Sequence, residues 1–186
     1  MKKKWIIIGS CGIAFIALVT ILLIILLGGA SFSDMSQQVF NSMNKVQTVD
    51  SVTTVKDGEI IVYQYGKKVE IKDSNKAVVT TSESEYNSNF EFETKSSSEE
   101  VAVSKDELLM ISLGESLFKD IEISKDKMTM VTTSENIKEV FNNDSLVISG
   151  DAKFEFIFDG ELISKIICSY KLLSGKDVVI DITYTY

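Results

Sequence analysis

An uncharged run extends from Trp5 to Ala30 and directly follows Met1-Lys2-Lys3-Lys4. Its apolar part is long enough to cross a hydrocarbon core about 30 Å thick, for which a helix needs about 20 residues. The apolar region of a cleaved secretory signal is shorter, at about 7 to 15 residues. The run therefore predicts a transmembrane signal-anchor helix at residues 5–27, followed by a short juxtamembrane segment at 28–33.

The lysines on the two sides of this run predict its orientation. Three lysines precede it and the next one is Lys45, so the positive-inside rule makes residues 1–4 a cytoplasmic basic tip. Within the predicted anchor, Trp5 belongs at the interface, and Leu18, Leu22 and Leu26 belong in the hydrocarbon. Gly28-Gly29-Ala30 also has the small residues of a cleavage site, and cleavage near Ala30 would secrete the rest. We therefore expect a single-pass cell-membrane protein with an extracytoplasmic C-terminal domain, or alternatively a secreted domain.

The exported part is strongly acidic. All 27 acidic residues and 16 of the 19 lysines follow residue 30, so residues 31–186 carry a net charge of −11. Nucleic acid requires a basic footprint, and an anionic bilayer surface repels an acidic domain. The charge therefore excludes nucleic acid as a partner. It also means that only the predicted anchor, and not the acidic domain, is expected to contact the lipid bilayer.

Several residue types are missing from the chain. It has no His, and all 19 basic residues are Lys, so it has neither imidazole-based nucleophile pairs nor bidentate Arg forks. Proline is also absent, which we interpret as the compositional bias of a bacterial genome and, with export, as a bacterial envelope protein. Carboxylate pairs such as Asp120 with Glu122 lack EF-hand spacing and are interpreted as a solvated strand face. We predict no enzyme activity, no cofactor and no metal site.

Hydrophobic periodicity divides residues 34–186 into elements of one extracytoplasmic domain. A helix is expected at 34–46, and the Asp-Gly pairs at 57–58 and 159–160 are strong hairpin signals. Further turns are expected at 65–68 and 174–177. Strands are predicted at 59–65, 68–72, 77–81, 85–95, 121–123, 128–131, 153–158, 162–173 and 178–186.

The last three strands each have one apolar face, as in an antiparallel sheet with a single buried side. That face predicts either a hydrophobic core or an apolar cleft. Its residues are Phe154, Phe156, Phe158, Ile166, Cys168, Tyr170, Ile180 and Ile182. Cys168 is the exported part's one cysteine and is expected to be a buried, inert thiol.

Two more helices are predicted between the strands. Ser104 and Glu107 have the spacing of a capping box before an apolar run that ends near Gly114, and Ser134 precedes a short helix that ends at 142–143. The polar segment 96–100 is expected to be a loop. The predicted fold class is α+β: a transmembrane helix, then a curved, half-barrel-like antiparallel sheet with about three helices.

This order of a helix, strands, two small helices and a C-terminal meander at Phe154–Tyr186 resembles the LolA-like half-barrel lipid carriers and lipoproteins. The resemblance covers about residues 34–186 and rests on element order without a diagnostic motif. It implies that an apolar small molecule or lipid is carried or sensed in a cleft of the sheet. The alternative is an envelope or surface domain that binds another envelope protein and fills its core with its own side chains.

Overall fold

A computed structural model describes residues 30–73 and 75–186, and residues Ser31–Tyr186 form one compact unit. Among the described residues, no helix is long and apolar enough to cross a membrane. The predicted span at 5–27, with its anchor residues Trp5, Leu18, Leu22 and Leu26, lies outside the described residues.

One nine-stranded antiparallel sheet accounts for most of this unit, with strand order β4-β3-β2-β1-β9-β8-β7-β6-β5. The chain builds two meanders, β1 to β4 and β5 to β9, which are joined where β1 pairs with β9. The strands are β1 (Thr48–Asp57), β2 (Ile60–Asp73), β3 (Lys76–Tyr86), β4 (Phe92–Ala102), β5 (Lys119–Ile123), β6 (Lys127–Thr132), β7 (Ala152–Asp159), β8 (Leu162–Lys171) and β9 (Asp177–Thr185).

The prediction of an α+β fold with about three helices is wrong. The described residues contain two α-helices, α1 (Phe32–Met43) and α2 (Ile137–Val140), and the second is a single turn. Because strands dominate the described residues, the fold is mainly β, and no membrane-spanning helix is found among them.

Helix α1 begins two residues earlier than predicted. Ser31 is its N-cap, and the Ser31 hydroxyl accepts a hydrogen bond from the Asp34 backbone N–H at 3.1 Å. The Asp34 carboxylate in turn accepts one from the Ser31 backbone N–H at 3.0 Å, which completes a capping box. The Ser31 hydroxyl, which donates to the same carboxylate at 2.7 Å, and then this backbone bond hold the pKa of Asp34 below its ordinary value. Asp34 is therefore the third helical residue.

The helix predicted from Ser104 is only a 3-10 turn at Lys105–Leu109. One bond of the expected capping box is seen directly, since the Ser104 backbone N–H donates to Glu107 Oε2 at 3.1 Å. The chain then leaves the helical region at Met110, whose φ is 64°. Leu108 and Leu109 are adjacent and both buried, so this run packs as a short apolar plug without helical periodicity.

Two polar stretches are strand and not loop. The predicted turn at 65–68 lies inside β2, where Gly66 pairs with Val52 and Ser82, so the two strands predicted at 59–65 and 68–72 are one. The segment 96–100 lies inside β4, where Ser97 Oγ and Thr81 Oγ1 are 2.9 Å apart. Such cross-strand hydroxyl pairs stabilise a sheet without burying an apolar face.

The Asp-Gly hairpin predictions are confirmed. Gly58 and Gly160 have φ values of 60° and 61°, and they turn the chain between β1 and β2 and between β7 and β8. Strand β1 itself, which precedes the first of these turns, was not among the predicted strands.

Candidate functional site

The eight residues predicted to line a core or a cleft all lie on β7, β8 and β9. Cross-strand pairing sets Phe154 against Cys168 and Cys168 against Ile180, and the next row joins Phe156, Ile166 and Ile182. Tyr170 and Ile180 are partly buried, and the other six are buried.

Other parts of the domain pack directly against this face. The ring of Phe154 contacts Phe118 at a centroid distance of 5.6 Å and Phe141, just after α2, at 5.8 Å. Burial raises the pKa of the Tyr170 hydroxyl to about 12 and raises the pKa of the Cys168 thiol well above its ordinary value. Protein side chains thus fill the space in front of the predicted cleft residues.

An open groove of about 640 Å³ lies beside α1, and its lining is polar. Gln37, Asn41 and Lys45 face it from α1 and the following turn, and Glu161 faces it from the turn between β7 and β8. A site for an apolar ligand is instead lined mainly by hydrophobic and aromatic side chains. This groove therefore has the wrong lining for an acyl chain.

Three hairpin turns lie at one end of the sheet. Lys56 of β1 pairs with Asp177 of β9, which places the β1–β2 and β8–β9 turns at the same end. Tyr63 of β2 pairs with Glu85 of β3, which adds the β3–β4 turn. Because these strands are consecutive in the sheet, the three turns stand side by side.

Exposed apolar side chains are concentrated on these turns. We define the hairpin-tip surface as six of the large hydrophobic residues that remain exposed in the described part of the chain. They are Ile60, Ile61, Tyr86, Phe90, Phe92 and Leu173. Exposed apolar side chains that are grouped at one end of a sheet mark an interaction site more often than singly scattered ones do.

Phe90 protrudes furthest from this surface, with 87% of its area exposed. Its φ is 61°, in the left-handed region that a bulky side chain rarely adopts. In the last cross-strand pair before this loop, the rings of Tyr86 and Phe92 contact each other at a centroid distance of 5.1 Å. The strained backbone therefore holds an aromatic ring in water.

Asn87 fixes the loop that carries Phe90. Its side-chain oxygen accepts hydrogen bonds from the backbone N–H groups of Asn89 and Glu91, at 2.8 and 3.0 Å. Its side-chain amide donates to Glu91 Oε2 at 3.1 Å and to Glu93 Oε1 at 2.6 Å. These hydrogen bonds hold loop 87–91 in one conformation, in which the ring of Phe90 is exposed.

No group of three or more potential metal-ligating side chains occurs in the described ranges 30–73 and 75–186. Asp120 and Glu122, the carboxylate pair considered from the sequence, lie on β5 at the far edge of the sheet.

Sequence reasoning did not find the hairpin-tip surface. Ile60 and Ile61 directly follow the Asp-Gly turn, and Phe90 stands between Asn89 and Glu91, so each is an apolar residue in a turn context. That context was the available signal. Which turns share one end of the sheet follows only from the strand order.

No family model matches the chain, and no curated protein matches it. Among solved structures, it is similar to the dehydratase domain from the CurK module of Curacin polyketide synthase, with 8% identity, 76% of each chain covered and a TM-score of 0.22. An inactive mutant of the CurK dehydratase gives the same identity and TM-score. A TM-score this low supports no inference on fold or activity, and neither structure bears on the LolA-like resemblance, which stays a prediction.

Proposed function

We propose that residues 31–186 form an extracytoplasmic protein-interaction domain, held at the cell membrane by the apolar N-terminal segment and contacting its partner through the hairpin-tip surface. The charge pattern around residues 5–27 supports the membrane location and orientation. The single observation that carries the proposed binding role is Phe90, the most exposed ring of the hairpin-tip surface, on a left-handed backbone.

The cost of placing Phe90 there supports a role in binding. A non-glycine residue in the left-handed region costs on the order of 1 kcal/mol, and an exposed aromatic ring contributes nothing to the core. Aromatic side chains are the residues that most often carry binding energy in protein interfaces, because they bury a large area with few rotatable bonds.

Charge indicates what kind of surface the partner presents. Asp57, Glu59 and Glu91 flank the apolar tips, and the whole of residues 31–186 carries −11. An anionic bilayer would be repelled by these groups, whereas a protein surface with an apolar centre and lysines or arginines at its rim would be complementary. We therefore assign the surface to a protein partner.

The packing of the sheet's apolar face disfavours carriage of a lipid there. Phe154, Phe156 and Ile166 have no exposed area, and the described segments 105–118 and 137–148 contribute buried side chains to the same cluster. A carrier needs its apolar lining to be accessible to a ligand.

A photoreactive phenylalanine analogue at position 90 tests the proposal in cells that make the full chain. We expect it to cross-link to one protein, and we expect the double substitution Ile60→Ser and Leu173→Ser to abolish the product. Phe40→Ser is the matched control: Phe40 is 46% exposed but lies on α1, so the cross-link should survive. Cross-linking only to lipid, or a product insensitive to the tip substitutions, would refute the proposal.

A further inference from the structure

The two edges of the sheet differ in how well they are protected. Strand β5 is five residues long and its pairing with β6 is interrupted between Lys119 and Glu122. Strand β4 is 11 residues long, pairs with β3 without a register shift and has no proline. Short length, bulges and proline are three of the usual devices against edge-to-edge association, and β4 has none of these three. It does carry a fourth device, charged side chains, at Glu93, Lys95, Glu99 and Glu100, so the placement of these charges decides what can pair with it.

The hydrogen bonds of the β3–β4 hairpin show which backbone groups of β4 face outward. Asn87 N–H donates to the Glu91 carbonyl at 2.9 Å, and Val103 N–H donates to the Asn75 carbonyl at 3.0 Å. Because bonded and non-bonded pairs alternate along an antiparallel ladder, the odd-numbered residues of β4 bond to β3. The even-numbered residues direct their N–H and C=O groups to the open edge. These residues are Phe92, Thr94, Ser96, Ser98, Glu100 and Ala102.

The side chains of β4 do not block access to this edge. Ten of its 11 residues are exposed and the other, Val101, is half-buried. Several of its hydroxyl groups turn inward along the hairpin, as in the pairs Thr80 with Ser98 and Ser84 with Thr94, both 2.8 Å between oxygens. The strand is therefore regularly paired on one side, polar, and accessible along its length.

Charge placement along β4 selects one register for a second copy of the same strand. If two copies pair antiparallel about Ser97, Phe92 lies opposite Ala102, so the strands overlap completely. Lys95 then lies opposite Glu99 of the other copy, and this pair occurs twice. Both residues are odd-numbered and would form a non-bonded pair, in which side chains approach most closely.

Neighbouring registers of the two β4 strands have less favourable charge pairs. A shift of two residues in one direction places Glu93 opposite Glu99 twice, and the same shift in the other direction leaves Lys95 opposite the uncharged Val101. Like charges directly opposed on a sheet are destabilising, and opposite charges are stabilising.

We propose that β4 pairs antiparallel with β4 of a second copy of this chain, with the two Ser97 residues facing each other across a two-fold axis. Outward backbone groups supply the attraction, and the Lys95–Glu99 pairs set the register. A C2 interface of this kind is closed, so it yields a dimer and not a fibre.

Cysteine cross-linking tests the register in the full-length chain carrying Cys11→Ser, since Cys168 is buried. Ser97→Cys places two thiols opposite each other in a pair whose Cα atoms are about 4.5 Å apart, within disulfide range. Thr94→Cys on the same strand is the control, because its two copies would be separated by six residues, or about 20 Å. We expect oxidation to link Ser97→Cys at least tenfold faster than Thr94→Cys.

Reversing the charge of single residues distinguishes the specific Lys95–Glu99 pair from the general repulsion between two acidic copies. Residues 76–102 contain six acids and two lysines, so their net charge is −4, and removing an acid relieves general repulsion between copies. Glu99→Lys nevertheless sets lysine against Lys95, and we expect it to raise the dimer dissociation constant at least tenfold by sedimentation in mild detergent. Glu100→Lys makes the same change of charge opposite Thr94 and should dimerise at least as well as the parent chain.

The exchanged variant Lys95→Glu with Glu99→Lys should restore dimerisation to within about threefold of the parent, because opposite charges again face each other. A far-UV circular dichroism spectrum establishes that each variant is folded. Equal cross-linking of Ser97→Cys and Thr94→Cys would overturn the proposal, and so would equal dissociation constants for Glu99→Lys and Glu100→Lys. Binding of an extended lysine-rich peptide at β4 by a chain that stays monomeric would overturn it as well.

Discussion

The side-chain oxygen of Ser42 on α1 accepts a hydrogen bond from the buried backbone N–H of Ile163 on β8, at 3.2 Å. The same hydroxyl donates to the carbonyl of Gln38, one turn earlier in the helix, at 2.8 Å. A β-bulge explains the need for this bond, because the β7–β8 register shifts beside Phe158, the cross-strand partner of Ile163. Helix α1 thus supplies the hydrogen-bond acceptor for the Ile163 N–H.

Ser42→Ala should lower the free energy of unfolding by about 1–3 kcal/mol, since it leaves the Ile163 N–H buried without its partner. Urea unfolding followed by circular dichroism measures the loss.

Ser36→Ala is the matched control on the same helix. Within the described part of the chain, Ser36 Oγ is buried and has no hydrogen-bond partner. Its removal should leave the stability unchanged or raise it by up to about 1 kcal/mol. Equal losses for the two serines would show that α1 docking does not depend on the Ser42 bond.

Phe90→Asn should stabilise the fold while it removes the binding ring. Asparagine tolerates a left-handed backbone better than phenylalanine, so we expect a gain of up to about 1 kcal/mol. Thermal unfolding measures it, and Phe92→Asn, on a neighbouring strand residue, should not give a comparable gain. A lower melting temperature for Phe90→Asn would mean that the exposed ring stabilises the domain.

Glu155 should make stability depend on pH. Its carboxylate lies between Lys153 at 2.6 Å and Lys127 at 2.9 Å, and hydrogen bonds to these two lysines lower its pKa in the folded state. A lowered carboxyl pKa contributes stability above the unfolded-state pKa, about 4.3 for glutamate, and the contribution is lost as pH falls through the folded-state value.

Glu155→Gln should therefore lower the free energy of unfolding by less than about 1 kcal/mol at pH 7, as is usual for partly exposed ion pairs. Near pH 3 the substitution should have almost no effect on the free energy of unfolding. The urea unfolding midpoints of the parent and of Glu155→Gln, measured between pH 7 and pH 3, test whether the difference in stability shrinks as the pH falls. A cost that grows as the pH falls would contradict the assignment of the charged carboxylate as the stabilising form.

Cys168 should be unreactive in the folded protein. The thiol is buried on β8 and burial raises its pKa, so almost no thiolate forms at pH 8. In a Cys11→Ser chain, we expect a thiol reagent to react only as fast as the domain unfolds, and at the normal rate in concentrated urea. Rapid reaction under native conditions would show that the face formed by Phe154, Cys168 and Ile180 opens to solvent.

Local patterns along the chain predicted much of the C-terminal half of the sheet. Alternation of apolar and polar residues at 153–158 and 178–186 located β7 and β9, and Asp-Gly located two turns, because strand periodicity and turn chemistry are local properties. Burial of the expected inert thiol, Cys168, is also confirmed.

Predictions failed where distant residues decide the structure. The segment 96–100 is too polar to indicate a strand by itself, yet it is one because Thr80 and Thr81 of β3 pair with it. The capping box at Ser104 begins a single turn only, because Leu108 and Leu109 are both buried in the core. Local propensity gives way to tertiary packing in each case.

Residue type and order alone account for the apolar N-terminal run, the acidity of residues 31–186 and the apolar faces of the last strands. Strand pairing and packing are needed to show that the face with Phe154 is a filled core and that Ile60, Phe90 and Leu173 lie at one end of the sheet. They also show that β4 is an open edge. These features depend on which strands become neighbours, and the pairing of β1 with β9 joins residues more than 120 positions apart.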